Sequence, residues 1–268
     1  MSLSKDALEY LNLQAVRRTE IKSDFPGIVL PKDCSIQSLE ALQTYRNRYI
    51  ATFYTMDMAD FSAYVNKHGQ AQVFIDSKTP IAEAIFDLGT IEQPGHAKHR
   101  AKLQLEQTPE YAALVAFERS AHSQQELAEW LEDWQFNITA DDGKGEEMEI
   151  KKAIAAVRRV TITAKSKGEH SVGNLSQSKS SLEELDARSG EQSLPAWIRF
   201  TCAPYHGLGQ YDFNMRVGVR MSNDTIMFKL TGSNFAQQCR AYQEEFMSKV
   251  QQVINHDGTA VYIGKIEI

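Results

Sequence analysis

His96 and His99 stand three residues apart inside the basic stretch His96-Ala97-Lys98-His99-Arg100-Ala101-Lys102. An H-x-x-H spacing can supply two metal ligands. On a strand, however, residues i and i+3 point to opposite faces, and carboxylate partners would have to come from elsewhere. The cations offer a second chemistry. Lys98, His99, Arg100 and Lys102, together with Arg158 and Arg159, form a candidate nucleic-acid-binding strip on an otherwise acidic chain. Charge runs of this kind also serve as solvated faces or inter-subunit salt bridges, and no zinc finger, RNP motif or recognisable helix-turn-helix accompanies them. The plain reading, a solvated face with two surface histidines, leads.

The other chemistry-bearing groups read as structure. Asp141, Asp142, Glu146, Glu147 and Glu149 are acidic enough to invite calcium, but EF-hand spacing and its closing bidentate glutamate are not reproduced. A solvated turn followed by an acidic first helical turn explains them. Gly207-Leu208-Gly209 lacks the third glycine and following helix of a phosphate-binding fingerprint. No G-x-S-x-G, P-loop or H-E-x-x-H is present, so no catalytic residue and no cofactor is assigned. Tyr211, Phe213 and Met215 resemble a stacking platform, yet their alternation with polar residues is what the core face of a half-buried strand requires. Trp130 and Trp134, one helical turn apart, suit packing or a buried subunit contact.

The elements that must position these groups follow from periodicity. Ser4 caps an opening amphipathic helix over Leu3–Val16, Gly27–Leu30 is a short extended run, and a second helix starts at Ser35. A strand over Tyr49–Tyr54 precedes a helix capped by Asp57 and ended by Gly69, and two strands flank the Lys78-Thr79-Pro80 break. Residues 96–105 alternate as an exposed strand with a basic outer face. Two helices follow in succession from Pro109 and from Ser123. After the turn Asp141–Gly145, a helix from Met148 to Val157 passes into a strand Val160–Thr163. Near the end, Trp197–Cys202, Tyr211–Met221 and Ile226–Leu230 are strands, the last two forming a hairpin. A helix capped by Ser233 and a terminal strand paired into a sheet close the chain.

These elements define an α+β protein of mostly antiparallel sheets with packed helices and an extended central arm or insertion. Its parts are an N-terminal α/β part (1–106), a helical middle part (107–164), a polar arm or insertion (165–195) and a C-terminal antiparallel sheet and helix (196–268). The 268 residues, 42% hydrophobic and 24% charged, have the composition of a globular chain. A formal net charge of −6 excludes a wholly basic surface but not a local basic groove. Cys34, Cys202 and Cys239 form no CxxC pattern and are read as reduced, mostly buried thiols. No apolar run of transmembrane length is present and the N-terminus is not that of a signal peptide, so a cytoplasmic location without membrane partners is expected.

The chain also resembles the YfdQ-like family of phage and prophage proteins, from about Ile28 onward. The resemblance is carried by Thr52-Phe53-Tyr54, by Asp60-Phe61-Ser62-Ala63-Tyr64-Val65-Asn66-Lys67-His68, by His99-Arg100-Ala101, by the Trp130 and Trp134 helix, and by the closing strand-helix-strand block. It implies a phage origin, inside the bacterial host, and brings no active-site residue. The expectation is a non-enzymatic homo-oligomeric assembly protein that acts through binding. The alternatives are a DNA-binding accessory protein of phage replication or recombination, and a metal-dependent enzyme whose site is assembled from distant residues around His96 and His99.

Overall fold

The computed structural model describes residues 4–17, 20–21, 27–28, 40–118, 120–160, 194–222, 225–254 and 257–268. The chain divides into two compact units, Met1–Tyr49 and Ile50–Ile268. In the first, helix α1 (Lys5–Arg17) opens as the sequence predicts, with the Ser4 hydroxyl accepting the Ala7 N–H at 3.3 Å. Strands β1 (Glu20–Ile21) and β2 (Gly27–Ile28) pair antiparallel, and Glu40–Leu42 forms a 3₁₀ turn. The rest of the predicted Ser35 helix, and Cys34, lie outside the described residues.

The second unit holds two sheets. Strands β3 (Ala51–Thr55), β4 (Gln72–Ile75), β5 (Ile81–Ile85), β6 (His99–Gln104) and β13 (Ala260–Ile263) form a five-stranded sheet in the order β13-β4-β5-β6-β3. The central meander is antiparallel, and both edge strands are added parallel, β3 on β6 and β13 on β4. The strand at 99–104 was expected to be exposed; it instead lies inside the sheet, and only one of its faces is open. Helix α2 (Met58–His68), capped by the Asp57 carboxylate on the Asp60 N–H at 2.9 Å and ended at Gly69, packs on β6 and buries Phe61 and Val65 in one core with Ala82, Ala84, Ala101 and Leu103. Those alanines present little bulk, so the helix can approach the sheet closely.

Six further strands form a fully antiparallel sheet in the order β7-β12-β11-β10-β8-β9. They are β7 (Ala121–Ser123), β8 (Ile138–Asp141), β9 (Glu147–Met148), β10 (Trp197–Cys202), β11 (Tyr211–Ser222) and β12 (Thr225–Gly232). The hairpin β11–β12 is the one predicted, in register from Met215↔Gly232 to Ser222↔Thr225. Helices α3 (Pro109–Glu118), α4 (Gln124–Asp133), α5 (Ile150–Arg159) and α6 (Phe235–Val253) pack on one face of this sheet. There Ile198, Phe200, Phe213, Met215, Val217, Phe228 and Leu230 are fully or almost fully buried, as the alternation of β11 requires. Trp130 stacks on Phe117 and Phe200 at ring-centroid distances of 4.6 and 5.4 Å, and Trp134 lies 6.1 Å from Phe200, so both are core residues.

Three readings need correction, and a fourth falls mostly outside the described residues. β7 separates the two helices read as consecutive; it is three residues long, too short for a period to show. The acidic turn at 141–146 joins β8 to β9, and α5 begins only at Ile150, so Glu146, Glu147 and Glu149 precede the helix. Val160 caps α5, while the rest of the strand expected through Thr163, and all but Leu194 and Pro195 of the arm expected over 165–195, lie outside the described residues. Asn234, not Ser233, is the N-cap of α6, and its side chain is spent on β11, accepting from Asn214 N–H and donating to Asp212 C=O at 2.9 Å each. Strand β13, from the C-terminal part, completes the sheet built by residues 51–104, so one sheet draws on both ends of the unit.

Candidate nucleic-acid interface

Residues of β6 alternate between the two faces of the five-stranded sheet, and the predicted strip divides accordingly. Arg100 and Lys102 lie on the outer face, where both reach Glu83 on the neighbouring β5, at 3.1 and 3.5 Å. Arg100 Nε also donates to the Ala97 carbonyl at 2.6 Å. Register places Tyr262, Phe74, Glu83, Lys102 and Tyr54 in one row across the five strands. Phe74 and Tyr262 stack on each other at 5.4 Å, leaving Tyr54, 70% exposed, at the far edge. Lys98 is exposed just before the strand.

His99 points the other way and is buried. Its ring stacks on Phe86 at 4.3 Å, meets His68 edge-on at 5.1 Å, and is joined to the Tyr64 hydroxyl by a 3.0 Å hydrogen bond. Burial, reinforced by the neighbouring His68 and opposed by Asp87, holds its pKa below the ordinary histidine range. The Asp87 carboxylate accepts the backbone N–H groups of Lys98 and His99 at 3.0 and 2.9 Å. It is thus committed to the entry of β6. His96 sits in the exposed loop before it. Among the described residues no three His, Cys, Asp or Glu side chains are grouped so as to hold a metal ion.

Arg158 and Arg159 lie on α5, which packs on α4 and β8 of the other sheet. Arg158 is ion-paired with Glu132 at 2.7 Å. The acidic turn is closed by its own backbone: Asp141 Oδ1 accepts Gly143 N–H at 2.6 Å, and Asp142 Oδ1 accepts Lys144 N–H at 2.7 Å. Gly209 N–H and the Tyr211 hydroxyl both donate to Glu245, which also pairs with Lys249, so the Gly207–Gly209 segment is a loop anchored to α6. Burial pushes the Cys202 thiol up to about 12, which makes it a poor nucleophile.

A different surface has the features of an interface. The face of the six-stranded sheet opposite its helices presents Trp197 and Arg199 from β10, Asn214, Arg216 and Arg220 from β11, Lys229 from β12, and Thr139 and Asp141 from β8. Trp197 is opposite both Asp141 and Arg216, and Arg199 is opposite both Thr139 and Asn214. Trp197 is 38% exposed on an interior strand and makes no ring contact among the described residues. Among the described residues none of Arg199, Arg216, Arg220 and Lys229 has an ion pair or a side-chain hydrogen bond. Gly218, between Arg216 and Arg220 on this face, leaves the strand backbone bare; an added Cβ would stand 3.3 Å from the Lys229 carbonyl oxygen. A groove of about 500 Å³ runs over β8, β10 and β11, walled by the β8–β9 turn. The alternation of Trp197-Ile198-Arg199-Phe200-Thr201-Cys202 already puts Trp197 and Arg199 on the wet face, so the sequence itself carries this signal. Among the described residues this face thus combines an unstacked aromatic ring with cations that have no partner, the two kinds of group that contact bases and phosphates in single-strand-binding sheets.

Residues 6–266 match the family Uncharacterized conserved protein (DUF2303), and the chain belongs to that family. No curated protein and no solved structure matches the chain. No helix among the described residues is long and apolar enough to cross a membrane.

Proposed function

We propose that this DUF2303 protein is a phage- or prophage-encoded, cytoplasmic binding protein that engages nucleic acid through the outer face of its six-stranded sheet, in the setting of phage replication or recombination. The YfdQ-like segments, from Thr52-Phe53-Tyr54 to the closing block, support the phage origin. One observation carries the binding reading: among the described residues, Trp197 without a ring partner shares a sheet face with four cations that have no ion-pair partner, Arg216 opposite it and Arg199 two residues along. Keeping Arg and Lys unpaired on one surface confers no gain on the fold, whereas three or four of them aligned with phosphates release as many counterions. The test is fluorescence anisotropy with a labelled single-stranded oligodeoxynucleotide at 50 and 200 mM salt. With three or four phosphate contacts, affinity falls roughly 20- to 50-fold across that range. No binding at 50 mM overturns the proposal.

A second reading, self-assembly, is favoured by β13. It is a sheet edge with Tyr262 49% and Ile263 57% exposed, the kind of edge on which another strand can add. Native mass measured by light scattering tests it. A homo-oligomer that Ile263→Lys dissociates supports it; a monomer at micromolar concentration rules it out.

A further inference from the structure

Given the nucleic-acid reading, on which this inference rests, the groove over β8, β10 and β11 has a defined orientation. Charge is sorted across it. On one side, lining it, are Asp141 and Glu147 of the β8–β9 hairpin; on the other, outside its lining, are Arg216 and Arg220 of β11, with Lys229 beyond on β12, while Arg199 lines it from β10 two residues from Trp197. Trp197 lies between, its register partners being Asp141 on one side and Arg216 on the other. A phosphate is repelled from the first side and attracted to the second. A nucleotide lying across β10 therefore keeps its backbone over β11, where Gly218 lets it approach the sheet, and turns its base toward β8.

The polar groups at the base end have unspent capacity. Asp141 Oδ1 is fixed by Gly143 N–H at 2.6 Å, and among the described residues Oδ2 has no partner. The Asn214 side-chain amide, which lines the same groove from the β11 side, is also without a partner among the described residues. A groove of about 500 Å³ is at the small end of ligand sites and suits one base with its sugar. The Gly143 contact holds the carboxylate in place before any ligand arrives, so little ordering cost is left for binding.

The geometry points to a base-reading subsite, in which one unpaired base stacks on Trp197 and the Asp141 carboxylate accepts a hydrogen bond from that base's exocyclic amine. An ionised carboxylate only accepts. It meets the amino group of cytosine, adenine or guanine, and opposes the O4 lone pairs of thymine. In a duplex the amine is engaged in pairing and the base faces are covered by neighbours, so the subsite takes single strands.

The discriminating probes are an oligo-dC and an oligo-dT of equal length, which have the same charge and similar stacking surface but differ at this edge. The intact protein binds oligo-dC about tenfold more tightly, as expected for one hydrogen bond to a charged acceptor. Tryptophan fluorescence is quenched on binding, since Trp197 is the exposed one of the three. Asp141→Asn keeps an acceptor for the Gly143 N–H, and so the turn, but offers both donor and acceptor to the base. It reduces the preference to about twofold. Trp197→Ala weakens both probes and removes the quenching, with thermal unfolding recorded alongside to show that the fold is kept. Equal affinities for the two probes, or a preference untouched by Asp141→Asn, overturn the base-reading subsite while leaving nucleic-acid binding in place. Failure of both probes to bind at low salt overturns the underlying function as well.

Discussion

On the outer face of the five-stranded sheet Arg100 and Lys102 close on Glu83 and Phe74 stacks on Tyr262; on the outer face of the six-stranded sheet, among the described residues, Arg199, Arg216, Arg220 and Lys229 have no such partner and Trp197 has no ring contact. Both faces carry aromatic and basic residues on exposed strands. The first spends them on itself: a cation already paired must give up that pair to meet a phosphate, and a ring already stacked has one face fewer for a base. The second leaves them available. What sets the proposed interface apart is therefore the absence of internal partners among the described residues, more than the number of charges.

Reversing charge on each face breaks the comparison most directly. Arg199→Glu with Arg216→Glu should lower oligonucleotide affinity by roughly a hundredfold at low salt. Arg100→Glu with Lys102→Glu should change it by less than about threefold while destabilising the fold, because Glu83, only 19% exposed, then faces like charges. Equal losses from both pairs, read by anisotropy and thermal unfolding together, would erase the distinction between the faces.

The aromatic residues give the next largest effect. Trp197→Ala should reduce affinity by about tenfold, the value of one stacked base, with little change in unfolding temperature. Trp130→Ala removes a ring that is 7% exposed and packed between Phe117 and Phe200, so it should cost about 3–5 kcal/mol of stability in denaturant titration.

Glu83→Gln sharpens the comparison from the other side. It frees Arg100 and Lys102, and should cost about 1 kcal/mol of stability while creating a weak, salt-sensitive oligonucleotide affinity on the five-stranded face of the Trp197→Ala protein. If pairing by Glu83 is irrelevant, no affinity will appear.

The smallest effect belongs to His99, on the inner side of β6. Its folded pKa lies below the unfolded value, so the stability it contributes is present above about 6.5, the unfolded value, and is lost as pH falls toward the folded pKa. Unfolding temperature should decline on acidification from pH 7 toward 5, and less steeply in His99→Gln. A parallel decline in the variant would assign the pH dependence to other groups.

Periodicity and caps were legible without the structure. The alternation from Tyr211 to Met221, the Asp57 cap and Gly69 stop of α2, and the helical spacing that buries Trp130 and Leu131 depend on neighbours two to four residues apart, and the side chains themselves carry that information. The strip of Lys98, His99, Arg100, Lys102, Arg158 and Arg159 was legible as charge but not as surface. Whether a cation is spent depends on which strand pairs beside it and in what register. Glu83 and Arg100 are 17 residues apart in the chain, Arg158 and Glu132 are 26 apart, and Trp197 meets Asp141 only because β10 pairs with β8. The short strands β7, β8 and β9 likewise form because a longer strand offers its hydrogen bonds, and β13 reaches β4 across nearly 190 residues. Sequence by itself determined which face of each element is apolar. Only the tertiary structure decided which polar faces neutralise themselves and which keep groups unspent, because pairing energies are set by distances the chain does not have until it folds.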